Sequence, residues 1–336
     1  MAEPIDVPSE AFEPKPLFAT MEAAAAVVDE VREWIKDQPT WTWRGHTHAK
    51  PDTDEAEEIR YVADFKLPAG IECPCPCCTP RHAKFGQGFI AWFPKTRCIR
   101  LMGQHCFKRL NPDSHAAAQD EYKARMKHNG LVAFLANNLG NRDAYRRAIE
   151  TATPLAQHLD ELQEILGEKL HRTWKVNLWD HVQTGALGLP TFDSDGKPDN
   201  GFRVYATIAG SSLIDPDRKS FAPRLKTALD LLDFKIPEDI NAASVEELGR
   251  CVAPFSRSER ICRETFAAME AARQFVSLLT TATIREWAKQ PGSPVRLDIR
   301  RTGDELFVGR SEDNRSRVPL RPCINREPPV LPRLIL

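Results

Sequence analysis

Two stretches of the chain carry apolar residues at helical spacing, and they predict the body of the fold. The first stripe consists of Leu155, Leu159, Leu162, Leu166 and Leu170, each three or four residues from the next. The second lies on a helix predicted over residues 258–290 and consists of Cys262, Phe266, Met269, Val276, Leu279 and Trp287. We expect the two stripes to form halves of one helical core. The alternative is an intermolecular coiled coil that makes the protein a homodimer.

Further helices are predicted over residues 21–36, 114–174 and 223–234. Thr20 is suited to cap the first of them, and Ser244 opens a capping box for another short helix. The helix predicted over 114–174 is expected to break at Gly130 and Gly140. Its best segment begins at Pro154, because proline fits the first turn of a helix.

Short apolar runs predict strands over residues 59–67, 88–93, 98–102, 202–209, 295–300 and 305–309. The second and third runs are joined by residues 94–97 in the manner of a β-hairpin, and the last two runs form another hairpin. Residues 185–201 are rich in glycine, aspartate and proline and have no periodicity. They are therefore predicted to form a loop.

These elements predict an α+β protein dominated by helices and divided into four segments. Residues 1–56 hold an N-terminal helix and an acidic loop, and residues 57–112 form a β-hairpin module. A helical body follows over 113–290, with a small β insertion near 185–210. Residues 291–336 form a C-terminal β-hairpin and a proline-rich tail.

The cysteines are unevenly distributed. Six of the nine lie between Cys73 and Cys106. A secreted disulfide framework spreads its bridges through a small chain, whereas such clustering favours metal ligation. The sequence has no apolar run of about 18 residues and begins without the basic and apolar segments of a signal peptide. We therefore expect a cytoplasmic, metal-binding protein with no membrane partner.

The strongest chemical signal is the sequence Cys73-Pro-Cys75-Pro-Cys77-Cys78, because thiols interleaved with proline make a poor core strand. Zinc binds four ligands in a tetrahedron and accepts thiolates readily. Cys75 and Cys78 have the C-x-x-C spacing that brings two sulfurs to one metal. The predicted hairpin returns the chain to Cys106 at the start of a helix, whose positive end favours a thiolate.

A knuckle, a β-hairpin and a ligand at a helix start, in that order, resemble the treble-clef class of zinc fingers over residues 73–112. The resemblance implies one structural zinc ion. The chain departs from the class because only Cys106 stands at the helix start, where a second C-x-x-C is usual. We choose His82 as the missing ligand, which gives a site of Cys75, Cys78, His82 and Cys106. Alternative ligands are Cys73, Cys77, Cys98 and His105.

The basic residues are as clustered as the cysteines. The segment from Cys73 to Pro112 holds seven basic residues and no Asp or Glu, whereas residues 1–72 hold sixteen acids and seven bases. Apart from Arg81, these basic residues are the expected contacts for phosphate groups or a protein partner, namely Lys84, Lys95, Arg97, Arg100, Lys108 and Arg109. Aromatic residues of the same hairpin are candidates for stacking on bases. The alternatives are docking on the acidic N-terminal region and a solvated surface above an aromatic core.

The sequence thus predicts a zinc-binding, non-enzymatic binding or scaffold protein whose basic zinc module contacts DNA, RNA or a protein partner. In style it resembles zinc-finger proteins of bacteria and their phages. An iron–sulfur cluster is the alternative metal centre. The rival function is a metal-dependent hydrolase or nuclease in which His46 and His48 join distant carboxylates. A catalytic zinc works with a nearby acid or base, which the cysteine-rich segment lacks.

Overall fold

Helices and small antiparallel sheets make up the protein, and the helices predominate, which confirms the α+β class predicted from the sequence. The computed structural model describes residues 7, 9–13, 17–37, 46–52, 58–70, 72–103, 105–169, 178–195 and 197–335. The chain divides into two compact units, unit 1 (Met1–Gly130) and unit 2 (Leu131–Leu336). Among the described residues, no helix combines the length and the apolar character needed to cross a membrane.

The described helices that begin in unit 1 are α1 (Met21–Ala25), α2 (Val28–Asp37), α3 (Cys106–Leu110) and α4 (Pro112–Asn138). Thr20 caps α1 as predicted, because its hydroxyl accepts the N–H of Ala23. The single helix predicted over 21–36 is instead two helices separated by a turn at residues 26–27. The break predicted at Gly130 is wrong: glycine disfavours a helix by only about 1 kcal/mol, and α4 continues through it. The division between the units falls inside α4.

The strands of unit 1 are β1 (Arg60–Lys66), β2 (Cys73–Cys75), β3 (Thr79–Phe85), β4 (Gln87–Phe93) and β5 (Cys98–Gly103). They form a three-stranded sheet in the order β1–β4–β5 and the two-stranded pair β2–β3, all antiparallel. The predicted hairpin of β4 and β5 is confirmed. Phe93 pairs with Cys98, and Arg97 closes the turn with a φ of 54°.

The β4–β5 hairpin is buried on both faces, which explains why its strands are nearly continuous apolar runs. On one face Ile99 packs in a cluster with Val31 of α2. On the other face Met102 packs in a separate cluster with Ala118 of α4. The hairpin is therefore the shared centre of two thin cores.

Four α-helices of unit 2 begin and end within the described residues: α5 (Arg142–Lys169), α6 (Phe221–Asp230), α7 (Val245–Phe275) and α8 (Leu278–Ala288). Gly140 lies in a 3₁₀ turn before α5, which confirms the break predicted there. Pro154 lies inside α5 and does not begin it. The capping box at Ser244 is confirmed, but it begins the 31-residue α7 and not a short helix. The helix predicted over 258–290 is interrupted where Ser277 caps α8.

Both apolar stripes lie in one core, as predicted. The buried members are Leu155, Leu159, Leu162, Leu166, Cys262, Phe266, Met269, Val276 and Trp287. Leu279 is the exception, because 78% of its surface is exposed. Leu170 falls outside the described residues.

The described strands of unit 2 are β6 (Ala186–Phe192), β7 (Pro198–Thr207), β8 (Asp298–Thr302), β9 (Glu305–Ser311) and β10 (Asn314–Pro319). The loop predicted over 185–201 is wrong: β6 pairs with β7, and Leu187 and Leu189 alternate into the core. The C-terminal hairpin is confirmed as β8 and β9, and β10 adds a third strand to it.

Candidate metal centre

The knuckle between β2 and β3 and the start of α3 supply the thiols of the candidate site. Cys75 ends β2 and pairs with Thr79 of β3, and the turn between them contains Cys77 and Cys78. Cys106 is the first residue of α3, which follows β5 closely. Cys78 and Cys106 are far apart in the sequence, so the intervening β-hairpin is what returns the chain to the knuckle.

Three of the predicted ligands meet at this place. The Sγ atoms of Cys75, Cys78 and Cys106 all lie within 4.8 Å of one another. Those of Cys78 and Cys106 are 3.1 Å apart. Sulfur atoms on a tetrahedral zinc ion with Zn–S bonds near 2.3 Å are about 3.8 Å apart. The three sulfurs are close enough to share one metal ion, and the Cys78–Cys106 separation would widen by about 0.7 Å on a tetrahedral zinc.

Hydrogen bonding concentrates negative charge on Cys75. A hydrogen bond from the Cys77 thiol lowers the pKa of Cys75 to about 5, with help from the Gly103 backbone and the Cys106 thiol, although burial opposes the shift. The pKa of Cys77 is raised, chiefly because its thiol bonds to Cys75. Burial raises the pKa of Cys106. A divalent cation would replace these shared protons, because thiols lose their protons when they bind a metal.

The other predicted ligands do not join this cluster. His82 lies on β3 with an exposed side chain, and His105 is exposed immediately before α3. The cluster formed by the described residues contains neither of them. Cys98 is buried in β5, where its thiol donates to the carbonyl of Thr96. Cys73 is buried in β2, and burial raises its pKa.

The predicted contact residues divide into one buried and several exposed side chains. Arg100 is only 2% exposed, its Nε donates to the carbonyl of Ala49 at 2.9 Å, and its guanidinium lies 4.3 Å from the ring centre of Phe93. Arg100 therefore belongs to the interior and not to a contact surface. The exposed residues are Arg81, Lys84, Lys95, Arg97, Lys108 and Arg109.

Four of the exposed basic residues have no ion-pair partner in the described part of the chain, namely Lys84, Arg97, Lys108 and Arg109. The ion pairs of unit 1 join other residues, such as Arg32 with Asp64 and Arg125 with Glu121. Within the described residues, no ion pair therefore compensates the charges of these four side chains.

The aromatic residues of the hairpin serve the core. Phe89 stacks on Tyr61 with ring centres 4.2 Å apart. The indole N–H of Trp92 donates to the carbonyl of Phe18, and Phe93 is fully buried. The side chain of Phe107 lies outside the described atoms. This arrangement favours the aromatic-core alternative over base stacking.

Two further polar contacts in the interior of unit 1 involve histidines. His46 and His48 are buried with their Nε2 atoms 3.3 Å apart, and no third ligand joins them among the described residues. The Tyr61 hydroxyl lies 2.6 Å from Nδ1 of His115, and burial is the main cause that raises the pKa of Tyr61. Sequence reasoning missed this second pair because no spacing signal links residues so far apart.

The knuckle, the hairpin and the helix start follow one another in the order that the treble-clef resemblance implies. No protein-family model, curated protein or solved structure matches the chain. Assignment to the treble-clef class remains a prediction. The thiol geometry is the observation that supports a metal.

Proposed function

We propose that unit 1 is a nucleic-acid-binding module whose fold is held by one structural zinc ion at Cys75, Cys78 and Cys106. The observation that carries the proposal is the meeting of their three Sγ atoms within 4.8 Å. The site is formed by a segment that contains no acidic residue between Cys73 and Pro112. In this function the protein acts as a binding or scaffold protein and not as an enzyme.

The groups near the thiols support a structural role for the metal. A catalytic zinc keeps one coordination position open and works with an adjacent acid or base. Here the knuckle offers a further thiol at Cys77, which already contacts Cys75. A site closed by four protein ligands holds the knuckle to α3 and leaves no position for substrate.

We propose Cys77 as the fourth ligand, ahead of His82. Neither residue belongs to the three-thiol cluster, but the Cys77 thiol hydrogen-bonds to Cys75, whereas His82 is exposed on β3. Replacing zinc by Co²⁺ distinguishes four thiolates from three thiolates and one nitrogen by the visible absorption spectrum. Cys77→Ser should change that spectrum and reduce the zinc retained, while His82→Ala should change neither. The reverse result would return His82 to the site.

Metal analysis tests the identity of the ion directly. Protein purified without chelator should contain close to one zinc ion per chain. Iron with acid-labile sulfide in its place would establish the iron–sulfur alternative. Absence of any bound metal would overturn the proposal.

Phosphate groups are the partner that fits the exposed basic residues. Lys95 and Arg97 stand at the tip of the β4–β5 hairpin, and Lys108 and Arg109 stand on α3 just after the metal ligand Cys106. Because the aromatic residues of the hairpin pack in the core, the contacts with a nucleic acid are mainly electrostatic. We therefore expect binding that depends little on base sequence and falls steeply with salt, because each neutralised phosphate releases counterions.

Fluorescence polarisation with labelled duplex DNA and single-stranded RNA tests this at several salt concentrations. The expected Kd is about 10⁻⁴ to 10⁻⁶ M, as for non-specific association. The double variant Lys95→Glu/Arg97→Glu should weaken binding and flatten its salt dependence. Lys226→Glu/Lys235→Glu, at exposed lysines of unit 2, is the control and should retain binding. Failure of the wild type to bind either nucleic acid would leave a protein partner as the function of the basic surface.

A further inference from the structure

A cavity of about 440 Å³ lies on one face of the β6–β7 hairpin in unit 2. This volume falls within the range of about 300–1,000 Å³ typical of small-molecule sites. Its walls are mostly apolar and include Leu189, Pro190 and Pro294, and Asp180 is the one carboxylate among the described residues that line it. All of its lining residues belong to unit 2, so the cavity has no part in the metal centre.

An aromatic ring forms one wall of this cavity. Phe202 is 70% exposed, although a phenylalanine is usually buried. Its ring lies close to the backbone of Gly188, where a Cβ atom would come within 3.0 Å of the ring carbon Cδ2. Glycine at position 188 therefore gives the ring room to lie against the strand.

A second glycine, Gly292, also lines the cavity. Gly292 has a φ of +81°, and a Cβ atom there would lie 3.2 Å from the side chains of Pro190 and Phe192. A side chain at 292 would thus be strained in the backbone and crowded against the hairpin. Together, Gly188 and Gly292 keep side-chain volume out of the cavity.

The carboxylate of Asp180 indicates which class of ligand fits the cavity. Asp180 is exposed and has no ion-pair partner among the described residues, and His181 and Thr184 add hydrogen-bonding groups. An organic cation is attracted both to a carboxylate and to the face of an aromatic ring. We propose that this cavity binds a small organic ammonium compound with a flat, apolar body that packs between Phe202 and the prolines.

Three commercially available probes separate the parts of this proposal. Tryptamine carries an ammonium group and a flat ring, indole-3-acetate carries the same ring with a carboxylate, and propylamine carries the ammonium group alone. Protein-observed NMR titration should give tryptamine a Kd in about the millimolar range expected of so small a ligand. Indole-3-acetate and propylamine should each bind at least about fivefold more weakly, since an exposed charge contact or one aromatic contact is worth roughly that factor.

Two variants test the named residues. Asp180→Asn and Phe202→Ala should each weaken tryptamine binding about three- to fivefold. Both side chains are exposed, so the folded state should be retained, which circular dichroism checks. Asp217→Asn and Tyr205→Ala replace other exposed residues of unit 2 and are the controls. The proposal is overturned if tryptamine causes no shifts up to its solubility limit, or if indole-3-acetate binds equally well. Equal losses in the control variants also overturn it. None of these results depends on zinc.

Discussion

The buried apolar residues of unit 1 fall into two small clusters, one on each face of the β4–β5 hairpin, whereas those of unit 2 form one cluster that draws on α5 to α8 and on both sheets. A thin core rarely supplies enough stability alone, and small folds of this kind commonly add a metal or disulfides. The clustered thiols of Cys75, Cys78 and Cys106 lie in unit 1. Under the proposed function, metal binding would stabilise unit 1, whereas hydrophobic burial in one large core stabilises unit 2.

Metal removal is expected to have the largest effect and to act on unit 1 alone. Structural zinc contributes about 10–16 kcal/mol in zinc-finger peptides, because the site does not exist in the unfolded chain. A strong chelator should therefore greatly accelerate amide exchange in β2, β3 and α3. The helices α5 to α8 should exchange at unchanged rates. Hydrogen–deuterium exchange with mass spectrometry, with and without chelator, makes the comparison.

Two cysteine variants control for side effects of the chelator. Cys78→Ser should reproduce the loss of protection in unit 1, because it removes one of the three clustered thiols. Cys323→Ser replaces a half-buried cysteine of unit 2 and should leave both units protected. If chelation loosens unit 2, or leaves unit 1 unaffected, the contrast between the units is wrong.

Truncation in the large core is expected to have the next largest effect. Leu162 is fully buried in unit 2, and Leu→Ala changes at such positions destabilise by about 2–5 kcal/mol. Leu162→Ala should lower the midpoint of the unit 2 transition in urea without changing the zinc content. Leu279→Ala is the matched control, because Leu279 is 78% exposed and should change stability by less than about 0.5 kcal/mol. Equal effects of the two changes would mean that the first stripe is not part of a core.

The features predicted well from the sequence are those set by local pattern. The leucine stripe repeats at helical spacing, and its described members are all buried. The β4–β5 hairpin has two apolar runs around a short turn, and its register follows from that spacing. The knuckle spacing and the hairpin likewise predicted that Cys75, Cys78 and Cys106 come together, and their Sγ atoms lie within 4.8 Å of one another.

The features that were missed depend on contacts distant in the sequence. The sequence of β6 has a weak preference for the strand conformation because it contains Gly188 and Pro190. Burial of Leu187 and Leu189 in the core stabilises the strand nevertheless. Helix α7 runs through Pro254, which local rules treat as a helix breaker. The charge on Arg100 suggested an exposed side chain, but Arg100 is buried because it contacts Ala49 and Phe93, which lie on other segments.

The smallest expected effect is the change in stability when a glycine inside a helix of either unit is replaced by alanine. Gly130 of α4 and Gly249 of α7 both lie inside helices, and a Cβ atom added at either position meets nothing within 4 Å. Alanine restricts the unfolded chain and favours the helix, so each Gly→Ala change should stabilise the protein by about 0.5–1 kcal/mol. Urea unfolding of Gly130→Ala and Gly249→Ala, each beside the wild type, measures both gains. A gain at Gly249 with a loss at Gly130 would show that the backbone at Gly130 is less regular than that at Gly249. Equal gains would show that α4 is as regular there as α7, which would limit the difference between the units to their cores.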